Sequence, residues 1–174
     1  MKPIRLLAVG DVERRLMDAV RDSLAEEYRT RCSIDRQVVD PVSAYHPERN
    51  QYHSTDLVEK LTRLDGANQQ LLGITAVDLF IPILTFVFGE AQLGGSCAVV
   101  SYHRLHQSFY GLPPDDDLLL DRLVKEAIHE IGHTFGLTHC DDYECVMAAS
   151  HSVEWLDMKG PSLCPDCRSR CGVS

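Results

Sequence analysis

The chain has 174 residues, 44% of them hydrophobic and 25% charged, a composition of globular rather than disordered proteins. Its 17 Lys+Arg against 26 Asp+Glu leave a net charge of −9, which argues against nucleic acid or an anionic membrane as the main partner. A domain of this length buries roughly 70% of its unfolded surface and folds without staples, so its seven cysteines need another explanation.

Ile4–Val9 is an apolar run ending at Gly10 and reads as a buried strand. Arg5 inside it, and the lack of a small-residue cleavage site, argue against a secretory leader. Asp11 can cap the helix that follows, where Val12, Leu16, Val20 and Leu24 recur every four residues through Glu13–Tyr28. Cys32–Val39 reads as a second strand and the polar Tyr45–His53 as a loop. Ser54 then caps a second helix with Leu57, Val58, Leu61 and Leu64 on one face, and Gly66 suits its stop. Three β-type runs follow, Leu71–Ile83, Leu84–Phe88 and Cys97–Tyr102, broken by Pro82, Gly89, Gly94 and Gly95.

Gly111–Asp117 is a loop whose Asp115, Asp116 and Asp117 favour the positive end of a helix. That helix spans Asp116–Phe135, with an apolar stripe of Leu120, Val124, Ala127, Ile128, Ile131 and Phe135 to pack on a sheet, and stops at Gly136. Beyond Phe135 there is little regular pattern, yet five of the seven cysteines lie there. No segment approaches the roughly 18 apolar residues of a membrane span. The expectation is a cytoplasmic, monomeric protein in which clustered thiols hold metal rather than form disulfides.

The third helix carries His129-Glu130-Ile131-Gly132-His133, and His139 follows Gly136 by three positions. Residues i and i+4 share a helix face, so His129 and His133 can present two imidazoles to one ion. Gly136 can take positive φ and turn the chain sharply, bringing His139 back as a third ligand. Three protein ligands and an open position define a catalytic zinc site. Glu130 is then the general base of a hydrolysis of peptide or related amide bonds. Glu154 is the alternative third ligand.

Cys140 and Cys145, with the CxxC pair Cys164 and Cys167, have the pattern of a structural zinc site built from four cysteines. Cys171 could replace one of them. Cys32 and Cys97 sit in strand-like runs as small hydrophobes. Among further cleft candidates are Tyr143, His103, His106, His151, Glu154, Trp155 and Leu156. An inert zinc scaffold that sequesters a peptide or protein partner, or a zinc-ribbon adaptor, would explain the same metals. Glu130 favours an enzyme, since a scaffold needs no base.

The string HExxHxxGxxHCx4CxM, running from His129 to Met147 and followed by CxxC, resembles the archaemetzincins, a branch of the metzincin zinc peptidases. The resemblance implies an α+β fold: a twisted, mixed five-stranded sheet with helices on one side, and an irregular C-terminal region stapled by zinc. It implies two zinc ions per chain, one catalytic and one structural, with Met147 in a tight turn beneath the histidines. Residues 1–174 form one catalytic domain on this view, residues 1–136 making its upper portion and residues 137–174 its lower. An edge strand would pair with an extended peptide or protein substrate, and Cys97–Ser101 is the candidate for it. No nucleic acid or membrane partner is expected.

Overall fold

A computed structural model describes residues 1–66 and 68–173. In chain order the first half contains β1 (Ile4–Val9), α1 (Arg14–Glu27), β2 (Cys32–Val39), β3 (Tyr45–His46), β4 (Gln51–His53) and α2 (Ser54–Thr62). The second half contains β5 (Gln70–Thr75), β6 (Leu79–Phe80), β7 (Gly89–Ala91), β8 (Cys97–Ser101), α3 (Asp116–Thr134), α4 (Val153–Met158) and α5 (Pro165–Cys171).

The main sheet is mixed and five-stranded, in the order β2-β1-β5-β8-β7. Its first four strands are parallel and β7 runs antiparallel to β8. Strand pleating sends alternate side chains to opposite faces, and the two faces build two cores. Ile4, Leu6, Leu72, Ile74, Ala98 and Val100 meet α1 and α3 on one side. Leu7, Val9, Leu71, Cys97 and Val99 meet Leu57, Val58 and Leu61 of α2 on the other. Every residue of β5 is buried, as expected of a central parallel strand. The larger core also includes Leu156, Leu163, Cys167 and Val173, so the tail after α3 shares apolar packing with the sheet.

The sheet and the main helices follow the sequence pattern; other details differ. Helix α2 covers the face opposite α1 and α3, so the helices are not on one side. The Tyr45–His53 segment is not a plain loop. Its ends pair as a short hairpin that joins β6 in a second, three-stranded sheet. Leu84–Phe88 is not a strand: within it Val87 alone pairs, in a single antiparallel bridge to Leu79 of β6. Asp11 does not cap α1, whose N-cap is Glu13, and Ser54 is the first residue of α2 rather than its cap. Cys97–Ser101 is internal to the sheet; the edge strands are β7, beside it, and β2 at the far side. The tail also forms α4 and α5, helices too short for periodicity to reveal.

Tyr28 ties α1 to α3 one residue before the first motif histidine. It is fully buried and its hydroxyl donates to the Ile128 carbonyl at 2.6 Å. Tyr28→Phe deletes that bond and leaves the packing, so urea denaturation should show a loss of about 1–2 kcal/mol.

Candidate active site

Asp115 caps α3 by accepting from the Leu118 amide at 2.9 Å, and Asp116 and Asp117 occupy its first turn. The helix therefore starts where the aspartates place it and runs rigidly to the histidines. His129 and His133 share one face, with ring centroids 4.6 Å apart. After Thr134 the chain turns at Gly136, whose φ of +89° only glycine adopts freely. The turn brings His139 to within 5.3 Å of the His129 ring and 5.2 Å of the His133 ring.

The imidazoles are oriented through their other nitrogens. His129 Nδ1 is 2.9 Å from the Val146 carbonyl and His133 Nδ1 is 2.7 Å from the Leu137 carbonyl. A carbonyl only accepts, so each Nδ1 carries the proton and each Nε2 keeps its lone pair. Those two Nε2 atoms face each other at 3.0 Å. Two lone pairs at that separation repel unless a cation satisfies both. Burial holds all three imidazoles below the ordinary histidine value, which keeps them neutral as metal ligands must be. The donor set could hold zinc and leave one position open.

The turn Cys145–Ala148 lies beneath this face. Met147 is fully buried, and its sulfur sits where a β-carbon on Gly132 would be. Gly132 is therefore integral to the motif's packing: a side chain there would push the turn off the helix. The Cys140 amide donates to the Met147 carbonyl at 3.0 Å. One sulfur, Cys145 Sγ, accepts from the amides of Met147 and Cys164 at 3.4 and 3.3 Å. Donor atoms of Cys140, Cys145, Cys164 and Cys167 all lie within 4.8 Å of one another. Hydrogen bonding, chiefly from the Cys167 amide, lowers the Cys164 thiol's pKa, favouring the thiolate that metals bind. Cys171 is outside the group. Cys97 is buried, whereas Cys32 is only half-buried; burial pushes its thiol up to about 12.

Glu130 is 5% exposed. A β-carbon on Gly89 of β7 would lie 2.7 Å from its Cγ and Oε1, so the edge strand approaches the carboxylate closely only because residue 89 has no side chain. Burial raises the Glu130 carboxyl well above the usual range; Glu126 and Glu90 add to this and Lys159 opposes it. Glu126 lies one turn earlier and is also buried. Its charge is met by Lys159, whose side chain is 1% exposed and whose Nζ is 3.3 Å from Glu126 Oε1. The same Nζ donates to the Ala148 carbonyl at 3.2 Å and stands 3.5 Å from His129 Nδ1.

Glu126, His129, Glu130, His133 and His139 line a cleft of about 490 Å³ with the Leu84–Glu90 segment as its opposite wall. Of the further candidates, His151 reaches the cleft. Tyr143, Trp155 and Glu154 are exposed outside it, and Leu156 is core. His103 bonds the Ala76 carbonyl and His106 packs on Tyr102, both away from the cleft. Sequence reasoning missed Gly89, Glu126 and Lys159. The i,i+4 spacing of Glu126 and Glu130 was a signal for the second. Nothing in the sequence marks Lys159, because its partners are 33 and 11 positions away.

A family model described as Peptidase family M54 matches residues 6–171. The chain is 40% identical to the archaemetzincin of Methanocaldococcus jannaschii over 91% of its own length and 87% of the relative's. Among solved structures, a zinc-dependent peptidase from Methanocorpusculum labreanum superposes with a TM-score of 0.88. It is 33% identical, with 97% of this chain and 99% of that one covered. The archaemetzincin of Methanopyrus kandleri gives 0.87 at 36% identity, covering 98% and 93%.

Removing the Lys159 cation leaves Glu126 buried without a counter-charge. Lys159→Met should destabilise the fold by about 3–5 kcal/mol. Combining it with Glu126→Gln should recover most of that loss in chemical denaturation. Equal losses in the single and double variants would mean that packing, not charge, is what Lys159 provides.

Proposed function

The chain belongs to Peptidase family M54, the archaemetzincins, a family of zinc-dependent metalloproteases, and on that footing we propose how its own residues divide the work. His129, His133 and His139 would hold the catalytic zinc, and Cys140, Cys145, Cys164 and Cys167 a second, structural zinc. The three imidazoles leave a coordination position for water or substrate, whereas four thiolates close a tetrahedral site. Zinc at the histidines would supply Lewis acidity, bringing the pKa of water down to about 7 and polarising a carbonyl.

Glu130 moves the proton. Its raised carboxyl binds a proton more readily than an ordinary carboxylate. It accepts one from water and returns it to the leaving nitrogen as the peptide bond breaks. Gly89 gives that carboxylate its room. The outer side of β7 has no strand partner among the described residues, and an extended peptide or protein substrate would add there as a further strand. Met147 and Lys159 support the histidines from beneath rather than touch substrate. Residues 1–174 act as one catalytic domain, a reading supported by the core that 1–136 and 137–174 share. No helix among the described residues is long and apolar enough to cross a membrane.

The observation that carries this reading is the pair of Nε2 atoms facing at 3.0 Å with Glu130 beside them. Zinc per chain and peptide cleavage test it together. Glu130→Gln should keep both zincs and lower turnover by about 10²–10⁴-fold; zinc retained with turnover intact would remove Glu130 from the mechanism. His133→Ala and Cys167→Ser should each lose one zinc, and a different one.

The two sites are adjacent along the chain, since His139 precedes Cys140 and Cys145 lies two residues before Met147. Replacing both Cys164 and Cys167 by Ser should therefore also weaken zinc at the histidines. Full histidine-site occupancy in that double variant, measured by competition with a chromogenic chelator, would show that the sites are independent.

A further inference from the structure

The hairpin β3-β4 and the first turn of α2 take no part in the chemistry above, yet they hold the wall of the cleft. Arg49, in the hairpin turn, donates to the carbonyls of Leu84 and Thr85 at 2.9 and 3.0 Å. Gln51 adds a bond of 3.0 Å to the Thr85 carbonyl. The hydroxyls of Ser54 and Thr55 hold the carboxylate of Glu90. Hairpin and helix together therefore grip both ends of the Leu84–Glu90 wall.

On these same elements lie His46 in β3, His53 in β4 and Asp56 in the first turn of α2. One donor atom from each lies within 4.8 Å of the other two. His53 Nδ1 is 3.1 Å from Asp56 Oδ1. Both imidazoles pack on Phe80, with centroids at 5.2 and 5.4 Å, and meet each other edge-on at 5.8 Å. Rings already held against a core phenylalanine lose less freedom on binding a ligand. Among the described residues Asp56 has no Lys or Arg partner; its ion-pair partner is His53. Along His53-Ser54-Thr55-Asp56 the inner pair holds the edge strand, while the outer pair faces His46.

We infer that His46, His53 and Asp56 form a further divalent metal site, of the zinc class, that ties the hairpin to α2 and stiffens the cleft wall. Two imidazoles and one carboxylate suit zinc, nickel or copper, whereas calcium and magnesium require oxygen ligands. His46 is exposed and His53 half-buried, so water completes the coordination and the ion exchanges freely. The site fills when zinc is plentiful and empties when it is scarce. It shares no residue with the histidine or cysteine clusters, and its existence does not depend on the roles given to them.

The test titrates Zn²⁺ into protein already holding its resident zinc, followed by calorimetry and by the imidazole ¹⁵N signals. One further equivalent should bind, the His46 and His53 signals should shift, and Mg²⁺ should do neither. His46→Ala and His53→Ala should each abolish the uptake and Asp56→Asn should weaken it, with far-UV circular dichroism unchanged. Amide exchange across Leu84–Ala91 should slow when the extra zinc binds to the wild type and not in His46→Ala. No further uptake, or uptake that survives the double His46→Ala/His53→Ala variant, overturns the site. Uptake that leaves exchange in the wall unchanged marks an adventitious surface ion and overturns the proposal equally.

Discussion

The hydrogen bond between His129 Nδ1 and the Val146 carbonyl joins two stretches of the chain that are 17 residues apart. On one side is the most regular element of the protein, on the other its least regular. A helix can fix the spacing of His129 and His133, but it cannot choose which nitrogen of each ring points outward. That choice is made by carbonyls from beyond the helix, Val146 for His129 and Leu137 for His133. The irregular tail is thus a working component of the histidine site. The same turn also explains Gly132. Met147 can approach the helix only where there is no β-carbon, and Gly132, the residue before His133, provides that gap.

Charge is the second constraint. Glu126 and Glu130 lie one helical turn apart, both nearly out of water. Two buried carboxylates so close disfavour each other's ionisation. Lys159 answers Glu126 and leaves Glu130 as the carboxylate that faces the cleft without its own cation. The neutralised one becomes a fixed strut, since its partner also holds the Ala148 carbonyl. The other keeps its carboxyl pKa raised by burial. The same ammonium, 3.5 Å from His129 Nδ1, adds to burial in opposing protonation of that ring and helps keep it neutral. One buried lysine therefore assigns different tasks to three neighbouring groups.

How much of this was legible in the sequence depends on the range of the interaction. His129, Glu130, His133, Gly136 and His139 act through local geometry, a helical repeat and one turn, and spacing alone brings them together. Cys140, Cys145, Cys164 and Cys167 are legible because four thiols have little other use in a chain with an adequate core. Helices α1 and α3 are legible from their apolar stripes. Lys159 is not, because a lysine reads as surface until its partners are known. Gly89 reads as a strand breaker, and only the fold shows Glu130 opposite it. The edge position of β7 was assigned to β8 for a related reason. Three residues of Gly-Glu-Ala carry almost no strand signal, whereas Cys97–Ser101 carries a strong one because it is central and buried on both faces.

The shortness of β7 also has a physical consequence. A long, apolar, unpaired edge invites pairing with any exposed strand, including another copy of the chain. A three-residue edge followed inward by the irregular Leu84–Phe88 wall offers few free backbone groups, and a segment that pairs there must also fit the cleft. Strand pairing holds only part of the wall, through the single Val87–Leu79 bridge and the pairing of Gly89 and Glu90 with β8. The remainder is held by Arg49 and Gln51 at the carbonyls of Leu84 and Thr85, and by Ser54 and Thr55 at the Glu90 carboxylate. The histidine side of the cleft is set by a rigid helix and the turn beneath it, while the opposite wall is tied by side chains of the β3-β4 hairpin and of α2 as well as by β8. On the proposal that a peptide adds at β7, substitutions in the hairpin or the first turn of α2 would alter how it is received before they altered how it is cut.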